Sequence, residues 1–279
     1  MNTKKILLTA LIILIAATMV FASPQQDAAK KYVLLWQGEP DELFGIGLKK
    51  GNDGLTQALN KALGEFFEDG TLVKLSEKYL EGDKASMAKG FSGTAISGDG
   101  GAIQLVKPGE LSIGMEISYP PFEYMADDGK TPMGFDVDLG KMLAEKLGLK
   151  PVYVNTGFDG IFAGVDKGDY DCVISAATMT EARLATGNWT RPYIANALSL
   201  VGIEGSKTAP KSPEECAGLQ VAYQAETTAD YYMQDLADKG LSFTPREYDS
   251  IMSAFDDLKL GRVDVVIVDS TVADSYLGK

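Results

Sequence analysis

Apolar positions along the chain follow two alternating periods. "KYVLLW" (31–36) and "FGIGLKK" (44–50) carry the compact apolar runs of strands. After Asn52 the spacing changes: Leu55, Ala58, Leu59, Ala62, Leu63, Phe66 and Phe67 fall on one stripe of a 3.6-residue helix. A second helix follows Thr71, with Leu72, Leu75 and Tyr79 in register. Residues 81–109 then lose all periodicity and are dominated by Gly, Ser, Ala and Lys, the composition of a flexible linker.

Beyond the linker the alternation resumes. "LSIGMEI" reads as a strand, Phe135, Leu139, Met142, Leu143 and Leu147 as a helix stripe, and "PVYVN" and "YDCVISA" as strands around a short helix at Ile161–Val165. "NALSLVGI" (196–203) is a long apolar strand. "LQVAY", a helix over Thr227–Lys239, "FTPREY", a helix over Ser250–Leu260 and "VDVVIVD" complete the series. This βαβα order predicts α/β lobes with mostly parallel central sheets. "AGVDKGDYDCVISA" (163–176) and "DDLKLGRVDVVIVD" (256–269) share one form: a helix end, a Gly, an Asp and a buried strand. They are expected to be equivalent elements of two similarly built lobes.

The first 22 residues have a basic start at Lys4 and Lys5, an apolar run over Ile6–Val20 and a small-residue site at Val20-Phe21-Ala22, the pattern of a cleaved secretion signal. Its removal leaves 24 basic against 39 acidic residues, a net charge of −15. That balance disfavours nucleic acid and anionic membrane as partners. Cys172 and Cys216 both sit beside apolar strands assigned to different lobes, so two buried free thiols are expected. The chain has no histidine, which removes Ser-His and Cys-His catalysis and the commonest zinc ligand. No cofactor or metal motif stands out.

Candidate chemistry clusters just after strands, where α/β sheets hold ligands. In "MEISYPPFEY", Glu116 offers a charge and Tyr119 an aromatic face; the alternative is a packed turn. Phe158, in "GFDGIFAGV", offers a second ring or a core cap. In "SAATMTEAR" a strand ends at Ser175-Ala176, Thr178 follows, and Arg183 can reach back to grip a carboxylate through two parallel hydrogen bonds. Thr227 and Thr228 open a helix whose free N–H groups attract a carboxylate, although capping alone would explain both. Asp269 closes a buried strand and can bind an ammonium or cap the next helix. Anion donors, an ammonium acceptor and aromatic walls together match an α-amino acid.

"YPPFEY", "GFDVDLGKMLAEKLG", "GFDGIFAGVDKGDYDCVISAATMTEAR", "VAYQAETTADYY" and "LKLGRVDVVIVDS" resemble the extracytoplasmic amino-acid-binding proteins of ABC importers, solute-binding protein family 3. The resemblance implies two α/β lobes of the periplasmic-binding type, joined by a two-strand hinge, that close on an amino acid and dock on a membrane permease. It assigns the ligand carboxylate to Arg183, Thr178 and Thr227, and the ammonium to Asp269 with a backbone carbonyl near Ala176. Tyr119 and Phe158 would flank the side chain, and Glu116 would meet its far end. This chain departs from the family at Glu226 and Thr228, where Gly or Ser is frequent, and at Gln224, where some members carry a basic residue.

The order also departs. The family usually begins at the strand matching 111–114 and ends with elements like residues 31–80, which here come first. The chain therefore reads as circularly permuted, with 81–109 joining the former termini. Lobe 1 would hold 44–80 and 110–198, lobe 2 would hold 31–43 and 202–279, and the crossings would be 39–44 and 197–202. The expected product is a monomer that captures a free cationic or polar amino acid for an ABC permease. The rivals are a domain-swapped dimer, a dehydratase-like periplasmic enzyme with Glu116 or Glu226 as general acid, and a sensor domain.

Overall fold

The computed structural model describes residues 30–98 and 100–278. The secretion signal expected over the first 22 residues lies outside them. The chain runs β1 (Tyr32–Gln37), β2 (Glu42–Phe44), β3 (Gly47–Leu48), α1 (Asp53–Glu68) and α2 (Thr71–Tyr79) before the segment at 81–109. It continues as β4 (Glu110–Met115), β5 (Tyr124–Met125), β6 (Pro132–Met133), α3 (Phe135–Lys146), β7 (Lys150–Asn155), α4 (Ile161–Lys167), β8 (Cys172–Val173), α5 (Glu181–Thr186), β9 (Asn188–Trp189) and β10 (Ile194–Asn196). The last stretch is β11 (Leu198–Ile203), β12 (Gln220–Gln224), α6 (Thr228–Asp238), β13 (Thr244–Tyr248), α7 (Ile251–Leu260), β14 (Val265–Asp269) and α8 (Ser270–Leu277).

Two five-stranded sheets result, in the orders β7-β4-β8-β3-β9 and β13-β12-β14-β11-β1. Each has a parallel core of three strands, β7-β4-β8 and β13-β12-β14, and an antiparallel flank of two. The parallel cores arise because α3 and α4, or α6 and α7, supply the crossovers that parallel strands need. The flanks draw on the first strands of the chain: β3 inserts between β8 and β9, and β1 adds to β11. The cysteines are buried free thiols, Cys172 in one sheet and Cys216 just before the other.

The sequence echo marks equivalent junctions. α4 and α7 both end on a left-handed glycine, Gly168 and Gly261, a conformation that costs glycine no Cβ clash. The aspartate that follows clamps the neighbouring strand in each lobe. Asp171 Oδ2 accepts from Ser112 N at 2.7 Å, and Asp264 Oδ2 accepts from Gln220 N at 2.8 Å. Each carboxylate satisfies a strand-entry amide that would otherwise be unpaired.

The sheets are linked by a short ribbon in which β2 pairs antiparallel with β10, Glu42 opposite Asn196, Leu43 opposite Ala195 and Phe44 opposite Ile194. The return crossing therefore lies a few residues before the expected 197–202, because Leu198 already pairs with Asp269 in the second sheet. α1 packs its stripe of Leu55, Leu59, Leu63, Phe66 and Phe67 into the first lobe's core. Each such side chain contributes roughly 1.5–3 kcal/mol by leaving water, ample to seat an N-terminal helix beside α3.

The glycine-rich segment is clamped rather than loose, a correction to its reading as a flexible linker. Thr94 N donates to Trp189 O at 2.9 Å, and Trp189 N donates to Thr94 Oγ1 at 2.8 Å, so the segment extends the sheet edge at β9. Asn52 Nδ2 donates to Gln104 O, and Val106 N to Asp171 Oδ1. Glycine here serves close approach. A Cβ on Gly93 would lie 2.1 Å from Thr190 O, and one on Gly54 would lie 2.3 Å from Ala102 O. Gly93→Ala is expected to lift the segment off β9, read as faster limited proteolysis between Lys84 and Lys107; an unaltered digestion pattern would count against the clamp.

Candidate functional site

Strand ends deliver the site. Glu116 follows β4 and Gln224 ends β12, the equivalent positions of the two lobes. They meet across the cleft, Gln224 Nε2 donating to Glu116 Oε2 at 2.5 Å and to Asp249 O at 3.0 Å. Asp269 ends β14, and Ser175 and Ala176 follow β8. Tyr119, Phe158, Ala176, Thr178, Arg183, Gln224, Thr227, Thr228 and Asp269 border one narrow pocket, joined by Glu123 and Ser175. The sequence-derived set is thus brought together, with Glu116 touching it through Gln224.

Arg183 sits on α5 and is bridged between lobes. Its Nη1 donates to Thr178 O at 2.9 Å and its Nη2 to Glu226 O at 3.0 Å, while the guanidinium carbon lies 5.4 Å from the Phe158 ring centre and 4.7 Å from that of Phe162. Burial pushes its pKa down, opposed by the fields of Tyr231, Glu42 and Asp269. Glu226 has φ of 59°, the left-handed region, and its N–H is fixed by Asp230 Oδ2 at 2.9 Å. Glycine is the residue that takes up this conformation without strain. Ala176 is the second residue of this kind, φ 43°, held by its N–H to Asp136 Oδ2 at 2.6 Å. Strain of this sort concentrates at ligand clamps.

Thr227 does cap α6: its Oγ1 accepts from Asp230 N at 3.3 Å and donates to Gln224 O at 2.7 Å. Asp269 does not use its side chain as a cap. Its Oδ2 accepts from Tyr119 Oη at 2.5 Å and its Oδ1 from Asn196 Nδ2 at 2.7 Å. Tyr119 is therefore a buried cross-lobe hydroxyl as much as an aromatic wall. Burial raises the Tyr119 phenol, and the neighbouring Asp269 carboxyl raises it further.

The far end is acidic. Burial raises the Glu116 carboxyl, donors from Ser118 and Gln224 pull it back, and Asp159 and Asp249 raise it again. A cation arriving there would relieve three neighbouring carboxylates.

Five contributors escaped the sequence reading. Ser175 Oγ donates to Glu123 Oε1 at 2.6 Å, and Glu123 and Asp136 form a buried carboxyl pair beneath the floor, both raised by burial. Glu42 and Asn196 flank Asp269 from the ribbon. Glu123 in "PFEY" and Ser175 in "SAATM" lie inside stretches that drew attention, and a buried acid following two prolines was the available signal. Nothing local marks Glu42 or Asn196. No group of three or more metal-ligating side chains was found among the described residues.

Two α/β lobes, each presenting its strand ends to one charged cavity, define a cleft-type solute-binding protein. Residues 111–239 match the family described as bacterial extracellular solute-binding proteins, family 3. The L-cystine-binding protein TcyJ of Escherichia coli (strain K12) is 28% identical over 203 residues, 72% of this chain and 75% of that protein. An ancestral arginine-binding protein, solved bound to arginine, superposes with a TM-score of 0.59 at 34% identity, covering 61% of this chain and 74% of that one. The ancestral amino acid-binding protein AncCDT-1, a precursor of cyclohexadienyl dehydratase, gives a TM-score of 0.58 at 30% identity over 61% and 74% of the two chains. The chain belongs to the family 3 bacterial extracellular solute-binding proteins.

Proposed function

We propose that this protein captures a free amino acid between its lobes, without chemistry on it, and delivers it to an ABC permease. The observation that carries this reading is the opposition of Arg183 and Asp269 within one buried cavity. A guanidinium and a carboxyl facing across a short space suit the two ends of a zwitterion. Arg183, Thr178 and the N-terminus of α6 at Thr227 and Thr228 take the carboxylate; Asp269 and Ala176 take the ammonium. Tyr119 and Phe158 line the side-chain path toward Glu116.

The preferred side chain is cationic, arginine first. Glu116, Asp159 and Asp249 gather negative charge at the far end, and one structural relative was solved with arginine bound. Glu116→Gln is expected to reorder the preference among amino acids, lowering arginine relative to glutamine more than it lowers binding as a whole. An unchanged ranking in competitive titration would remove Glu116 from the specificity role.

The test of the function is a thermal-shift screen of the twenty amino acids followed by calorimetry. Arginine or another cationic or polar member should raise Tm and bind at one per chain, and the recovered amino acid should be chemically unaltered. No shift with any of the twenty sinks the reading; conversion of the ligand would favour the dehydratase-like alternative, for which buried Glu116 is the candidate acid.

We propose also that the chain is a circular permutation acting as a monomer, with 81–109 joining the family's former ends. Support comes from the coverage: the match takes in 74% of the arginine-binding relative but only 61% of this chain. It comes too from the placement of β1, β2, β3, α1 and α2 within the sheets and helix layers of their own chain.

A further inference from the structure

Glu42 lies next to the seat proposed for the ligand's ammonium, yet it belongs to the ribbon between the lobes. Asn196, directly opposite it in the β2–β10 register, donates one N–H to Glu42 Oε2 at 2.9 Å and the other to Asp269 Oδ1 at 2.7 Å. The amide cannot be the other way round. Its Oδ1 accepts from the Thr271 backbone N–H at 3.3 Å, with Ser270 Oγ at 3.0 Å and Thr271 Oγ1 at 3.1 Å beside it. One NH₂ group thus bridges two buried carboxyls, Glu42 and Asp269. Two ionised carboxylates held on one amide repel each other, and a proton on one of them relieves the repulsion.

The surroundings favour a single shared proton. Both residues are buried, at 9% and 8% exposure. Burial raises both carboxyls above their ordinary range; Glu42 raises Asp269 further, while Thr228, Asp269 and Asn196 pull Glu42 part of the way back. Around them stand Asp41 just before the strand, Tyr119 from the loop after β4 and Arg183 from α5, with Glu116 acting on Tyr119 and Glu226 on Arg183. Thr228, at the start of α6, lowers the Glu42 carboxyl against the effect of burial. On the solvent side Glu42 shares a groove with Glu39, Asp41, Glu181 and Asp235. Arg183 is the cation among these neighbours, and it is committed to the ligand carboxylate in the proposed mode. A fully ionised pair would therefore place two uncompensated charges at the ligand's amino end.

We propose that Glu42 is a positioning residue of the amino-acid site, and that the proton it shares with Asp269 leaves to solvent as the ligand's ammonium takes its place. The balance is simple. The empty pair carries one negative charge with its proton; the loaded pair carries two, offset by the ammonium, so the local charge is the same before and after. The ammonium arrives already protonated, and the carboxyl O–H of the pair is the bond that breaks. Because Glu42 sits on the ribbon and Asp269 on the lobe, the exchange ties loading of the cleft to the geometry of the crossing.

The consequence is a proton-linked affinity, resting on the amino-acid reading above. Protons compete with the ligand, so binding tightens as pH rises. It should gain up to about tenfold per pH unit while the empty pair is protonated, and level off above the pair's pKa. The decisive experiment is calorimetric titration of the full protein with L-arginine, L-glutamine and L-cystine, in phosphate and in Tris at one pH, together with affinities across about pH 5–8. The expected result is a binding heat that differs between the buffers, through the proton they absorb, in the wild type and agrees between them in Glu42→Gln. Equal heats in both buffers for the wild type, or an affinity flat with pH, overturns the proposal while leaving amino-acid binding intact. A buffer difference that survives in Glu42→Gln places the proton elsewhere, the Glu123–Asp136 pair being the next source, and overturns it as well. The wild-type pH series stands by itself if the variant does not fold. No heat from any of the three amino acids overturns both the proposal and the function beneath it.

Discussion

Arg183→Ala is expected to weaken amino-acid binding by more than about 2 kcal/mol, roughly thirtyfold. The guanidinium is buried over Phe158 and Phe162 and is already oriented by the carbonyls of Thr178 and Glu226. Its position is therefore fixed before a ligand arrives, and little side-chain entropy is lost on binding. A carboxylate left in that cavity without its partner bears a desolvation cost that alanine cannot offset. Arg183→Lys should recover part of the loss, since a point charge remains while the two-pronged geometry is gone. Calorimetric affinities for the two variants separate charge from shape; wild-type affinity in the alanine variant removes Arg183 from the site.

Phe255→Ala is expected to destabilise the fold by about 3–5 kcal/mol, read as a lower urea midpoint and Tm. Phe255 is fully buried on α7. It stacks on Tyr276 of α8 with ring centres 3.6 Å apart and meets Tyr32 of β1 edge-on at 5.3 Å. Tyr32 Oη also donates to Phe255 O at 3.0 Å. This trio fastens the first strand and the last helix to one lobe, so its loss is felt by elements from both ends of the order. Tyr32→Phe removes one hydrogen bond and keeps the packing, and its cost should stay near 1 kcal/mol. A loss under 1 kcal/mol for Phe255→Ala would show that the trio is dispensable.

Much of this architecture was readable because long periodic elements announce themselves. α1, α3, α6 and α7 each carry an apolar stripe, and the placing of Asp269 at a strand end and of Arg183 on the short helix after one follows from the βαβ rhythm. The paired helix-Gly-Asp-strand junctions were legible as an internal repeat, although the reason for their aspartates, capture of a strand-entry amide, needed coordinates. What escaped falls into two kinds. β9 and the β5–β6 hairpin are two residues per strand, too short for any periodicity. Glu42, Asn196 and Asp269 lie far apart in sequence and meet only through register and topology, so no local pattern could join them. The glycine-rich segment misled for a physical reason: the same small residue that frees an unbound chain also permits the closest backbone contact.

The joining segment has a consequence for how the molecule holds together. It touches the body along β9 and α1, but neither sheet needs it covalently. A single cut there would leave two pieces, and the smaller would be woven into both lobes: β1 along one sheet edge, β3 wedged between two strands of the other, and β2 in the ribbon between them. Pulling it free would mean unzipping four separate ladders at once. The nicked protein should behave as a self-assembling pair of fragments, and separately produced halves would find each other by completing each other's sheets.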